Sequence, residues 1–186
     1  MLKKFISLEL ILKNIEKGDV FIEKSKSYKL ALSGLLIALA VILGSFSIPI
    51  LGARVSPMQH FVNVVSAVLL GPFYALGNAF LASFIRNILG TGSLLAFPGS
   101  MIGAFLSGLL YEKYKSKIAA CFGEFIGTGI IGALIAYPVA AFLMGKEAGL
   151  LIYIIPFSSS SLVGALIAYL LLRANSIENI FKKVET

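Results

Sequence analysis

Leu30-Ala-Leu-Ser-Gly-Leu-Leu-Ile-Ala-Leu-Ala-Val-Ile-Leu-Gly-Ser-Phe-Ser-Ile-Pro-Ile-Leu51 runs for 22 residues without a charged side chain. A helix needs about 20 apolar residues to cross the hydrocarbon of a bilayer, so this stretch reads as a membrane span, closed by Pro49 and Gly52. Five more apolar segments follow: residues 57–70, stopped by Gly71-Pro72; 73–89; 93–111, after the turn Gly90-Thr91-Gly92; 118–144, which contains Pro138; and 150–172, interrupted by Pro156. The second and third are short for a crossing, which predicts tilt, bends or burial within protein. The expected fold is an all-α integral membrane protein, a bundle of six transmembrane helices.

Composition supports this from the outside inward. Of the 186 residues, 58% are hydrophobic and 13% charged, against about 25% charged in an ordinary soluble domain. No water-soluble fold of this size could hide so much apolar surface, which argues against a soluble enzyme. Eleven of the 25 charged residues precede Leu30 and five lie from Arg173 onward. The chain therefore divides into a basic segment over residues 1–29, a membrane domain over 30–173, and a tail over 174–186. The first segment has no clean hydrophobic stretch of a signal peptide, and reads equally as an interfacial amphipathic helix or a basic tail.

Six crossings leave both termini on one side. That side then carries thirteen of the 16 Lys and Arg residues, including Lys113, Lys115 and Lys117 in the 112–117 loop, and the other only Arg54, Arg86 and Lys146. The asymmetry places both termini in the cytoplasm and accounts for the net charge of +7 without a nucleic-acid surface. The single cysteine, Cys121, can form no internal disulfide and reads as a small packing residue.

Small residues recur at helical spacing within the spans. Gly34 with Ala38 and Ala40 with Gly44 do so in the first, Gly103 with Ser107 in the fourth, and Gly123 with Gly127 in the fifth. In lipid such faces allow close backbone approach, either within the bundle or to a partner subunit.

Polar residues inside spans must face protein or water. Threading the topology brings Gln59, His60 and Asn63, Arg86 and Asn87, Ser100, Tyr137, Tyr153 and the serine run from Ser158 to Ser161 toward the external side, with Arg54, Ser56, Thr91 and Ser93 in adjoining loops. Convergence from several segments is the pattern of an outward-facing pocket. Each has a plainer reading as well: His60 as an interfacial histidine, Arg86 as a snorkelling cation, and the serines as partners for carbonyls freed by Pro156. Glu124, seven residues past Lys117, is the only acid deep in a span. Its depth suggests the cytoplasmic side, away from such a pocket, and its role is open between substrate contact, pairing and protonation.

Catalytic signatures are absent. The sequence has no Gly-x-x-x-x-Gly-Lys-Ser/Thr loop, no His-Glu-x-x-His and no Gly-x-Ser-x-Gly. One histidine and one cysteine cannot make a zinc site. No enzymatic activity, metal or bound cofactor is expected.

Longer strings carry a family resemblance. Residues 31–40 (ALSGLLIALA), Ser56-Pro-Met-Gln-His-Phe-Val-Asn63, Leu70-Gly-Pro72, Phe84-Ile-Arg-Asn-Ile-Leu-Gly-Thr-Gly92 and Phe97-Pro-Gly-Ser-Met-Ile-Gly103 resemble the substrate-binding S components of energy-coupling factor (ECF) vitamin transporters, and within them the ThiW branch. That resemblance implies uptake of a thiamine precursor, the hydroxyethylthiazole moiety, across a prokaryotic plasma membrane. It also implies docking through the first helix, here Gly34 and Ala38, onto a shared transmembrane subunit driven by two ATPases, so that ATP is used by the partners and not by this chain. Glycine at 34 departs from the more usual alanine, and the absence of tryptophan departs from S components that stack on whole thiamine.

A neutral thiazole bearing one hydroxyl needs an aromatic-walled pocket with a few polar groups. Phe61, Phe97, Tyr137, Tyr153 and Phe157 would supply walls, and His60, Asn63, Asn87, Gln59, Arg86 and Ser158 polar contacts. On the expected outer side the sequence offers no acid for a cationic ligand except Glu147 in a loop. The competing readings are another cargo (the pyrimidine half of thiamine, or thiamine itself), a small lipid-modifying membrane enzyme using Glu124, and a purely structural subunit.

Overall fold

The computed structural model describes residues 25–50, 53–146 and 149–174. The basic segment before residue 25, the tail after Ala174 and Glu147 therefore lie outside the described residues. A helix forms on each of the six apolar segments: α1 over Lys26–Gly44, α2 over Pro57–Leu70, α3 over Pro72–Ile88, α4 over Ala96–Tyr114, α5 over Lys117–Leu143 and α6 over Ile154–Arg173. Three of them, α1, α5 and α6, are long and apolar enough to cross a membrane, and α2 is a shorter apolar helix.

Local chemistry sets the boundaries. The Ser25 side chain caps α1 by accepting from the Tyr28 N–H at 3.2 Å, satisfying one of the four donors that a helix start leaves open. Proline opens α2 and α3, where a missing N–H costs nothing. Gly71 is the single residue between them and has φ +86°, a conformation that side chains disfavour.

The first segment ends sooner than its composition suggests. Helix α1 stops at Gly44, and Ile48–Ile50 (β1) pairs antiparallel with Ala53–Val55 (β2), Ile48 opposite Val55. Pro49 thus belongs to a strand and not to the close of a span, and Gly52 lies outside the described residues. Pro49 sits in a two-stranded ribbon, where every strand is an edge and a missing donor is tolerated.

Helix α5 is not uniform. It runs as α-helix over Lys117–Ile126, as π-helix over Gly127–Gly132, as α-helix over Ala133–Pro138 and again as π-helix over Val139–Leu143. Pro138 removes an amide donor, and the second π segment follows it directly.

Helix α4 lies at the centre, packed on α2, α3 and α5, while α6 closes against α2 and α5, and α1 against α2 and α3. The buried positions of α4 are Gly99, Ser100, Gly103, Ala104, Ser107 and Gly108. Their size brings α4 and α5 into backbone contact: a Cβ on Gly127 would fall 2.7 Å from the Gly103 Cα. The resulting polarity runs inside out. Leu35, Ile42, Phe73, Phe122, Phe142 and Leu166 are exposed, whereas Gln59, Asn63, Asn78, Arg86, Glu124 and several serines are buried. That distribution suits a hydrocarbon solvent, in which apolar surface costs nothing and unpaired polar groups cost several kcal/mol.

Candidate functional site

A cavity of about 30 Å³ lies where the start of α2, the end of α3, the first turns of α4 and α6, and the π segment of α5 converge. Its wall includes Ser56, Gln59 and His60, Arg86, Ser93 and Leu95, Gly99 and Ser100, Thr128, Phe157 and Ser160. This volume holds one or two waters, so an aromatic ring enters only as the wall moves.

Two buried networks shape the wall. In the first, Gln59 donates through Nε2 to Ser83 Oγ at 3.0 Å and Ser100 Oγ at 2.9 Å, and its Oε1 accepts from Arg86. Arg86, 2% exposed, also donates to the Thr91 carbonyl at 3.2 Å. Its guanidinium lies against Gly44, where an added Cβ would come within 3.0 Å. The cation thus sits at the C-terminus of α1, where the helix presents its partial negative charge. Ser56 Oγ donates to the Gly44 carbonyl at 3.0 Å, tying the hairpin to the same helix end.

The second network centres on Glu124, which is fully buried. Its Oε1 bonds His60 Nδ1 at 2.8 Å and accepts from Asn63 Nδ2 at 3.0 Å, while Thr128 Oγ1 lies 3.0 Å from both this oxygen and the Gly99 carbonyl and has one proton for the two. Its Oε2 has no hydrogen-bond partner among the described residues. Asn63 Nδ2 also reaches the carbonyl and the hydroxyl of Ser100, at 3.2 and 3.0 Å. Because a backbone carbonyl only accepts, that contact fixes the amide nitrogen on this side. Ser100 joins the two networks, since Gln59 and Asn63 both bond its Oγ.

The expected site residues separate into three groups. Gln59, His60 and Arg86 line the cavity. Asn63 lies one layer behind it, joined to Ser100 and Glu124. The remaining candidates lie off the wall. Asn87 uses its amide on the Ser83 and Ser93 carbonyls, at 2.8 and 3.1 Å. Phe97 packs on Phe80, with ring centroids 5.8 Å apart. Tyr153 is buried beside Phe157 and Leu95, and Ser158 donates to the Gly129 carbonyl at 3.1 Å. Tyr137 is half-buried on α5.

Glu124 corrects the depth assigned from sequence. Helix α2 has 14 residues, a rise of about 21 Å that is shorter than a full-length span, so its first turn stands level with the first half of α5. His60 therefore meets a residue only seven positions into α5. Thr128, which sequence reasoning passed over, also lines the cavity, as does Ser160 from the expected serine run, whose Oγ is buried without a partner among the described residues. The available signal was the run of glycines around Thr128, which marks where α5 comes closest to α4.

The paired small-residue motifs of α1 face opposite ways. Ala40 and Gly44 are buried inside the bundle, whereas Gly34 and Ala38 are exposed, and a Cβ on Gly34 would meet nothing within 4 Å.

Comparison with known proteins agrees with the resemblance read from the sequence. The family model described as thiamine-precursor transporter protein (ThiW) matches residues 30–177. The chain belongs to this family, a membrane transporter family and not one of enzymes. No curated protein and no solved structure matches it.

Proposed function

We propose that this member of the thiamine-precursor transporter family is the substrate-binding S component of an ATP-driven ECF importer, and that it captures hydroxyethylthiazole from outside a prokaryotic plasma membrane. The observation that carries the reading is the cavity on which the polar side chains of Gln59, His60, Arg86 and Ser100 converge from three helices, among apolar neighbours such as Leu95 and Phe157, in a chain of this family. In this reading all six helices cross the bilayer and both termini are cytoplasmic, as the Lys and Arg asymmetry requires. The cavity then opens toward the outer leaflet, at the end where the hairpin joins α1.

The chemistry of the wall favours a small neutral ligand. Arg86 faces the cavity and Glu124 stands behind His60, so a cationic ligand would meet a fixed positive charge before any carboxylate. A thiazole carrying a hydroxyl offers an aromatic body for Phe157 and Leu95 and polar atoms for Gln59, His60 and Ser100. Whole thiamine, cationic and about twice as large, fits this wall less well. The exposed Gly34 and Ala38 give a partner helix close access to the α1 backbone. Two cytoplasmic ATPases supply the energy, and this chain itself holds no cofactor.

Calorimetric titration of the purified protein with hydroxyethylthiazole, the aminopyrimidine half, thiamine, riboflavin and biotin tests the cargo. Tight binding of the thiazole alone is expected. Tight binding of a different vitamin would keep the importer and discard the cargo. Silence across the panel from folded protein would refute the binding role.

A further inference from the structure

We infer that Glu124 fixes His60 as the Nδ1–H tautomer, so that the bare Nε2 is the acceptor with which the cavity selects a ligand carrying a hydroxyl or other hydrogen-bond donor. The tautomer half stands on geometry alone. The hydroxyl half rests on the cargo reading above.

A neutral imidazole has one N–H and one lone pair, and whichever nitrogen is engaged by a fixed partner determines what the other can do. Here Nδ1 is engaged by Glu124 Oε1 at 2.8 Å. That oxygen is held as an acceptor by Asn63 Nδ2, which donates to it at 3.0 Å, and Thr128 Oγ1 at 3.0 Å shares its one proton between it and the Gly99 carbonyl. The Asn63 orientation is in turn set by the Ser100 carbonyl. A carboxylate oxygen surrounded by donors calls for a proton on Nδ1, as in carboxylate–histidine pairs that orient imidazoles elsewhere.

Position completes the argument. His60 lines the cavity and its Nδ1 is taken by Glu124, which does not, so Nε2 is the ring nitrogen left for a ligand. The rest of the polar wall supplies mainly donors and hydroxyls: Arg86, the Gln59 amide already committed to two serines, Ser100, Thr128 and Ser160. A fixed acceptor among them discriminates between an alcohol and the same molecule without its O–H, because the analogue leaves Nε2 desolvated and unpaired. Glu124 is thus a positioning residue, acting through His60.

The chain has a single histidine, so ¹⁵N-histidine labelling gives a one-site spectrum of the full-length protein in detergent. A pyrrole-type Nδ1 and a pyridine-type Nε2 are expected. The reverse pattern, or an imidazolium, would overturn the tautomer assignment without any variant. Glu124→Gln, whose carbonyl oxygen still accepts, should keep the Nδ1–H form, and Glu124→Leu should lose it. The ligand half is read by titrating hydroxyethylthiazole against its chloroethyl counterpart, which has the same ring and no donor. The wild type should prefer the alcohol by about tenfold or more, and Glu124→Leu should bind the two alike. Equal affinities in a wild type that carries the Nδ1–H tautomer would overturn the selection step. If neither thiazole binds, the cargo reading falls, while the spectrum still decides the tautomer.

Discussion

The seam between α4 and α5 and the outer face of α1 are built from the same kind of residue and behave in opposite ways. At the seam, Gly99, Gly103, Gly127 and Gly132 interlock so closely that a Cβ on Gly132 would lie 2.5 Å from the Gly99 Cα. On α1, Gly34 and Ala38 face outward with nothing of this chain near the position of a Gly34 Cβ. A small-residue motif permits close approach and does not say what approaches. What separates the two cases is the company kept by the seam, where Thr128, Glu124 and Ser100 hold a hydrogen-bonded core that only small neighbours leave room for.

Substitutions that treat the two regions alike should break the comparison most visibly. Gly103→Leu drives a side chain into Thr128 and the Glu124 carboxyl, and we expect a loss on the order of 4 kcal/mol or more, read as failure to recover monodisperse protein. Glu124→Ala leaves the His60 Nδ1–H without its buried acceptor and should cost about 1–3 kcal/mol, measurable as a fall in the thermal midpoint in detergent. A midpoint within a degree or two of wild type would mean that the carboxylate is dispensable to the core.

Smaller effects sharpen the contrast. Asn63→Ala removes a link between Ser100 and Glu124 one layer behind the cavity, and should weaken thiazole binding by about 1–3 kcal/mol, checked by calorimetry. On the open face, Gly34→Leu should change stability by no more than about 0.5 kcal/mol and leave ligand affinity intact, yet prevent co-purification with the transmembrane subunit proposed above. Normal complex formation by that variant would show that this face is not the docking surface.

The sequence made the six helices legible because long apolar runs broken by Gly-Pro and Gly-Thr-Gly leave few alternatives for a backbone in lipid. It also marked out Gln59, His60 and Arg86, since polar side chains within such runs must turn inward. The hairpin of Ile48–Ile50 and Ala53–Val55 was hidden, because a short apolar strand next to a span has the composition of the span itself. Glu124 was misplaced because depth counted along a chain assumes every helix to be full-length and perpendicular, and the 14-residue α2 is shorter than that. The aromatic wall was the least legible part. Phe97 and Tyr153 are eligible by type, but only packing tells which rings face a cavity and which face each other.

The π segment at Gly127–Gly132 also says something about the history the helix can tolerate. A π turn contains one residue more than the α-helix that would otherwise span it. Deleting one residue there would absorb the bulge and leave everything beyond it in phase, whereas closing α5 into regular α-helix with every residue kept would rotate everything beyond it by about 100°. Ala133, Ala136 and Ala140, now packed beneath Tyr153 and Phe157, would swing off that surface while Glu124 stayed in place. The bulge therefore sets the rotational phase between the two halves of α5.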